Sequence, residues 1–284
     1  MKANLYALGA IALWATLATL GVSLSHVPPF LLTGLSLLIG SVLALPLLRH
    51  DLHQWRVPAA TLALGVYGLF GFHFLLFIAL RHAPPVEANL VNYLWPLFMV
   101  VLAPLLLPGL QLRSAHIAAA LLGFAGAAMA ILGSSGDTPG SAVATGGWSW
   151  GYLLALASGL IWASYSLLTK RVKPFPTAAI GLFGLLSGLL SLLCHWALEP
   201  AAHLSGHDWL LISVMGLGPL GAAFFMWDRA LKLGDARHIG ILSYLTPLTS
   251  TMLLLAATQR PLTWSIALET VMIIGAAVWG LRSK

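Results

Sequence analysis

The sequence predicts an all-α membrane protein, with ten transmembrane helices in two inverted five-helix repeats around a central cavity. Three observations predict it. The chain is 59% hydrophobic and only 8% charged, where soluble domains carry about 25% charged residues. Apolar runs near the ~20 residues needed to cross a bilayer as helix recur along its whole length. And the first half of the chain is echoed in the second.

The runs place spans at roughly 3–24, 29–48, 58–81, 86–108, 114–133, 150–171, 176–197, 208–231, 237–258 and 263–281. Proline, glycine and charge clusters mark the breaks, such as Ala83-Pro-Pro, Pro108-Gly and Arg260-Pro. The alternating ten-residue segments of a membrane barrel are absent from the sequence. Residues 134–149, rich in Gly and Ser, read as an external linker between a first repeat, 1–133, and a second, 150–284.

The echoes run from end to end. Trp14 answers Trp162, Gly65 answers Gly216, Tyr93 answers Tyr244 and Gly126 answers Gly275, at offsets of 148 to 151 residues. Five spans per repeat is an odd number, so the second repeat enters the membrane inverted, which is a carrier architecture. Twelve of the fourteen Lys and Arg residues fall at one set of span ends; only Arg81 and Arg260 fall at the other. This bias puts both termini in the cytoplasm and accounts for the net charge of +6 without nucleic acid. Trp55, Trp148, Trp150, Trp209, Trp264 and Trp279 near span ends fit an interfacial belt. The single cysteine, Cys194, excludes an intrachain disulfide.

The most unusual run is EANLVNYLWP, Glu87 to Pro96. On a continuous helix Asn89, Asn92, Tyr93 and Pro96 share one face. HIGILSYLTP, His238 to Pro247, repeats the spacing with Gly240, Ser243, Tyr244 and Pro247. Proline weakens a helix upstream of itself, so Pro96 and Pro247 are candidate hinges of two gating helices. The alternative is a pair of ordinary kinks in packed helices.

Around this pair the candidate substrate-binding residues are His73, Asn92, Tyr93, Trp95, Trp162, Tyr165, Ser243 and Tyr244. Trp95, Trp162 and Tyr165 lie within spans, where rings offer stacking walls or plain packing. Asn92 offers hydrogen bonds to a zwitterion or to a neighbouring helix. His73 lies deep in its span; it holds a carboxylate, carries a proton, or bonds a backbone carbonyl. Glu87 is a candidate coupling or outer-mouth carboxylate. His203, His207 and Asp208 have metal-compatible spacing with no second cluster to support it, so no metal and no cofactor is expected. The acids and bases within the spans do not converge as an enzyme requires, and the sequence carries no phosphate-binding loop.

VNYLWP (Val91 to Pro96), GLIWASYSLLTK (Gly159 to Lys170) and SYLTPL (Ser243 to Leu248) resemble the EamA-type branch of the drug/metabolite transporter superfamily, and most closely aromatic amino-acid exporters of the YddG type. The resemblance covers essentially the whole chain. It implies a bacterial inner-membrane secondary transporter working by alternating access, exporting aromatic amino acids and related small metabolites. A broad-specificity drug or organic-cation exporter of the same superfamily is the alternative. One chain holds both repeats, so a monomer in the bilayer is a sufficient transport unit.

Overall fold

The structure is a computed structural model that describes residues 2–48, 51–135, 149–258 and 264–282. Arg49, Arg260, Lys284 and most of the linker, residues 136–148 with Trp148, lie outside the described residues. All regular structure among the described residues is helical. In chain order the α-helices are α1 (Lys2–Ala15), α2 (Leu17–Ser23), α3 (Pro29–Ser41), α4 (Leu45–Leu48), α5 (Ala59–Val66), α6 (Phe72–His82), α7 (Pro85–Asn92), α8 (Trp95–Leu106), α9 (Ser114–Ser135), α10 (Gly151–Leu168), α11 (Ala179–Leu198), α12 (Gly206–Leu217), α13 (Ala223–Leu233), α14 (Ala236–Leu242), α15 (Leu245–Thr258) and α16 (Trp264–Arg282).

Several of these helices run on from one another. Seven helical stretches among the described residues are long and apolar enough to cross a membrane: Lys2–Ser23, Pro29–Leu48, Ala59–His82, Pro85–Leu106, Gly151–Leu168, Ala179–Leu198 and Gly206–Leu233. Ser114–Met129 and Ala267–Gly280 are shorter apolar helical stretches. The chain is a multi-pass membrane protein. Trp209, Trp264 and Trp279 stand exposed near helix ends, whereas Trp55 turns inward and its indole donates to the Ala178 carbonyl at 2.8 Å.

The chain forms two compact units. One comprises Met1–Phe74 with Leu168–Leu233, the other Leu75–Leu167 with Gly234–Lys284. In the first unit α3 and α11 run antiparallel with their backbones in close approach. A Cβ on Gly188 would stand 2.9 Å from the Gly34 carbonyl oxygen, and one on Gly181 would stand 3.0 Å from that of Ser41. In lipid, small residues of this kind let helices pack where apolar burial alone gives no drive. The start of α3 is capped by Glu199. Its two oxygens accept from Phe30 N and Leu31 N at 3.0 and 3.2 Å, and His195 Nδ1 lies 3.0 Å from Oε2. The start of α12 carries a capping box between Ser205 and Asp208, and His26 Nε2 reaches Asp208 at 3.1 Å.

In the second unit α9 and α16 also run antiparallel. A Cβ on Gly126 would stand 2.7 Å from Ile273, while Gly275 faces Leu122 at 3.9 Å. A buried cluster of Ala127, Tyr244, Leu248 and Ile273 joins this pair to the α14–α15 junction. Asp235 caps α14, accepting from Arg237 N at 2.8 Å, and Arg237 Nη1 donates to the Gln111 carbonyl at 2.6 Å.

Candidate functional site

The two Tyr-x-x-Pro segments are helix breaks. α7 ends at Asn92, Tyr93 and Leu94 form a turn, and α8 starts at Trp95. α14 ends at Leu242, Ser243 and Tyr244 form a turn, and α15 starts at Leu245. Proline causes both. Pro96 and Pro247 supply no N–H and crowd the carbonyls four residues back, those of Asn92 and Ser243. Each proline then sits in the first turn of the following helix, where a missing N–H costs nothing. The stripe expected on one continuous helix is therefore split. Residues 89 and 92 belong to one helical segment, and residue 96 belongs to the next.

Around the first break the second unit gathers five of the expected residues. Asn92 is buried, and its Nδ2 donates to Ser158 Oγ on α10 at 3.0 Å. The Asn92 carbonyl released by Pro96 faces Gly159, whose Cβ position is only 2.9 Å from that oxygen. Trp95 and Trp162 are buried edge to face, with centroids 6.4 Å apart and planes at 88°. Trp162 also lies 5.4 Å from Tyr165. Tyr93, in the turn itself, is partly buried. The result is an amide, a hydroxyl and four aromatic side chains around an open helix end, a set able to bind a small molecule with an aromatic part and polar groups. Glu87 lies in the first turn of α7, seven residues before Leu94, where the helix dipole favours its charge.

The second break is closed. Tyr244 is fully buried, its ring pressed against Gly123 of α9, where a Cβ would stand 2.5 Å from the ring. Its hydroxyl faces the backbone of Leu97 outside hydrogen-bonding geometry. Ser243 Oγ donates to the carbonyl of Ile239 at 2.8 Å. The two tyrosines are sequence counterparts in different surroundings.

His73 belongs to the first unit, with a different set of neighbours. Its Nδ1 donates to the Leu69 carbonyl at 2.6 Å, because a carbonyl can only accept. Its ring packs 6.4 Å from Phe224. Phe224 meets Trp14 at 6.1 Å, and Trp14 meets the buried Trp227 at 5.1 Å. The Trp14 indole donates to the Pro219 carbonyl at 3.1 Å.

Sequence reasoning did not reach Trp227, nor the backbone that positions this cluster. Residues Tyr67–Gly71 and Gly218–Ala222 are π-helical turns inside otherwise α-helical spans. They are separated by 151 residues, the offset of Tyr93 and Tyr244, and they immediately precede the α-helices carrying His73 and Phe224. Such turns are rare and occur often at functional sites. The glycines of Gly65 to Gly71 and Gly216 to Gly221 were the available signal.

The EamA-like transporter family matches residues 1–132 and 149–281. The chain is 42% identical over 279 residues to the aromatic amino acid exporter YddG of Ancylobacter novellus, covering 97% of this chain and 96% of that one. It is 29% identical to the protein of that name from Salmonella typhimurium, covering 100% of this chain and 98% of that one. A solved crystal structure 39% identical in sequence superimposes with a TM-score of 0.88, covering 99% of this chain and 97% of that one. The chain belongs to the EamA-like transporter family.

Proposed function

We propose that this protein is a secondary transporter that exports aromatic amino acids and related small metabolites across the bacterial inner membrane by alternating access. The observation that carries the reading is the pair of helix breaks at Tyr93–Leu94 and Ser243–Tyr244, one in each half of the chain, with different packing at each. The names of the 42% and 29% identical relatives support the substrate class. The rings of Trp95, Trp162 and Tyr165 beside Asn92 suit a flat side chain attached to a zwitterion.

In this reading the ten spans form two inverted repeats, 1–133 and 150–284, joined by the 134–149 linker. The matched ranges 1–132 and 149–281 support that division. So do the antiparallel contacts of repeat counterparts, α3 with α11 and α9 with α16. The charge asymmetry supports cytoplasmic termini. Trp95, Trp162 and Tyr165 stack on the substrate, and Asn92, Tyr93 and Ser243 offer it polar contacts; His73, in the first unit, is a candidate to hold a carboxylate. Tyr244 seals the second break, Pro96 and Pro247 are the hinges, and Glu87 guards the outer mouth. One monomer is a sufficient transport unit.

Reconstitution tests this. Liposomes holding purified protein and unlabelled tryptophan are expected to accumulate labelled tryptophan and phenylalanine by counterflow. Cationic-dye flux without amino-acid flux would replace this reading with that of a drug or cation exporter.

A further inference from the structure

Glu269 lies in the second turn of α16, within the apolar sequence Ile266 to Ile274. The residue is 1% exposed. Among the described residues its Oε1 is buried without a hydrogen-bond partner, and no basic side chain engages it. This sets it apart from most of the other buried or half-buried acids of the described chain. Glu199 accepts two backbone N–H groups, Asp228 holds Lys232 and Thr177, and Asp208 holds Ser205 and His26. Glu87 Oε1 is likewise buried without a hydrogen-bond partner, but Glu87 lies in the first turn of α7, where the helix N-terminus favours its charge. Among the described residues, a bare carboxylate at Glu269 has neither donor nor cation to hold its charge.

The described surroundings add no compensation. α9, which packs against α16, carries one titratable side chain, His116, in its first turn at the opposite end. α14 carries Arg237 and His238 in its first turn, α15 carries none, and the α14–α15 turn presents the Tyr244 phenol. Arg282 closes the far end of α16, and Arg260, ahead of α16, lies outside the described residues. Glu269 is also connected to the α14–α15 break. Ile273 is four residues on, hence on the same helix face, and packs in one cluster with Tyr244 and Leu248 at the second break. Gly126 holds α9 tightly against this turn: its Cβ position is 3.2 Å from the Glu269 carbonyl and 2.7 Å from Ile273.

We propose that Glu269 is a proton-binding site of this transporter, loaded and unloaded as the α14–α15 break moves. A proton bound at the carboxylate on the outer side is released inside as substrate leaves, with no other bond made or broken. The proposal rests on the export reading above, and its test separates the two. Protein is reconstituted into liposomes with trapped pyranine, and labelled tryptophan and luminal pH are followed together. Tryptophan movement in the wild type is expected to move protons. In Glu269→Gln proton movement should fall at least about tenfold, while tryptophan counterflow, which needs no net proton transfer, continues. Glu269→Asp should keep proton movement. Tryptophan flux without proton movement in the wild type overturns the proton site and leaves the export reading standing, as does unchanged proton movement in Glu269→Gln.

If the wild type moves no tryptophan, the export reading fails and the site is decided by infrared spectroscopy on purified protein. A protonated-carboxyl band at neutral pH, lost in Glu269→Gln and shifted in Glu269→Asp, upholds it; spectra unchanged by either variant overturn it. Should the glutamine variant not fold, the shift in Glu269→Asp alone decides in the same sense.

Discussion

The Asn92 side chain donates to the Ser158 hydroxyl at 3.0 Å, fastening the last turn of α7 to α10 where Pro96 has opened the helix. Hydrogen bonds between membrane helices average about 0.6 kcal/mol. A double-mutant cycle of Asn92→Ala and Ser158→Ala, read by unfolding in detergent micelles, is expected to give a coupling of about that size. Ser158→Ala should leave tryptophan transport within about twofold, since Asn92 keeps its amide for the substrate. A larger loss would mean that the pair, rather than Asn92, is what transport requires.

Trp162 touches both Trp95 and Tyr165, at 6.4 and 5.4 Å. Aromatic pairing is worth about 0.5–1.5 kcal/mol beyond area burial, or roughly two- to twelvefold in an equilibrium. Trp162→Leu keeps an apolar side chain and removes the ring. It should lower apparent tryptophan affinity by about that factor, with Trp162→Tyr intermediate. Equal affinity across all three proteins in a scintillation proximity assay would remove Trp162 from the site.

Each proline creates a break and then starts a helix. Pro96→Ala and Pro247→Ala restore an N–H and relieve the crowding that ends α7 and α14, a change of about 3 kcal/mol in helix preference. Both variants should retain tryptophan binding and lose transport rate by at least about tenfold, because a healed helix does not bend at that point. Undiminished rates in both would make the breaks packing features.

These breaks also mark how far the sequence could be read. The spans were legible because a bilayer fixes their length, and α1 to α4, α11 and α16 begin and end within a few residues of the apolar runs. The break positions were legible from proline chemistry. Their consequence was not: the Asn92–Ser158 bond joins residues 66 apart, and sequence gives no register between helices. Internal repetition revealed His73 and Phe224 as counterparts but hid Trp227, whose counterpart is the aliphatic Leu76. Nor did it foretell that Tyr93 would stay partly accessible while Tyr244 is sealed against Gly123.

Asp235 lies between spans and gives a pH dependence. Burial alone would push its carboxyl up; the side chain and backbone N–H of Arg237 outweigh this and hold it below the ordinary value. A depressed carboxyl stabilises the fold above the unfolded value of about 3.9, and that stability is lost as pH falls through the folded value. Asp235→Ala should cost about 0.5–2 kcal/mol at pH 7, as for other lost helix caps. The gap in melting temperature between variant and wild type should close below about pH 4. A gap that is independent of pH would assign the loss to packing instead.

The paired π turns make the last prediction. A π turn is an α-helix with one extra residue, so deleting one residue from Tyr67–Gly71 leaves both flanks in register and regularises the helix. Regular helix is the more stable backbone, so a turn kept at a stability cost is one that function uses. The same deletion in Gly218–Ala222 also removes the local geometry that presents the Pro219 carbonyl to Trp14. Each deletion should therefore leave melting temperature unchanged or raised while tryptophan counterflow falls at least about tenfold. The first should act through His73, whose Nδ1 is held by Leu69 of the turn, and the second through Phe224, which follows the turn. Full counterflow in either deletion would show that this π turn does no more than fit its neighbours together, whereas loss of both folding and transport would show that it is needed to pack the unit.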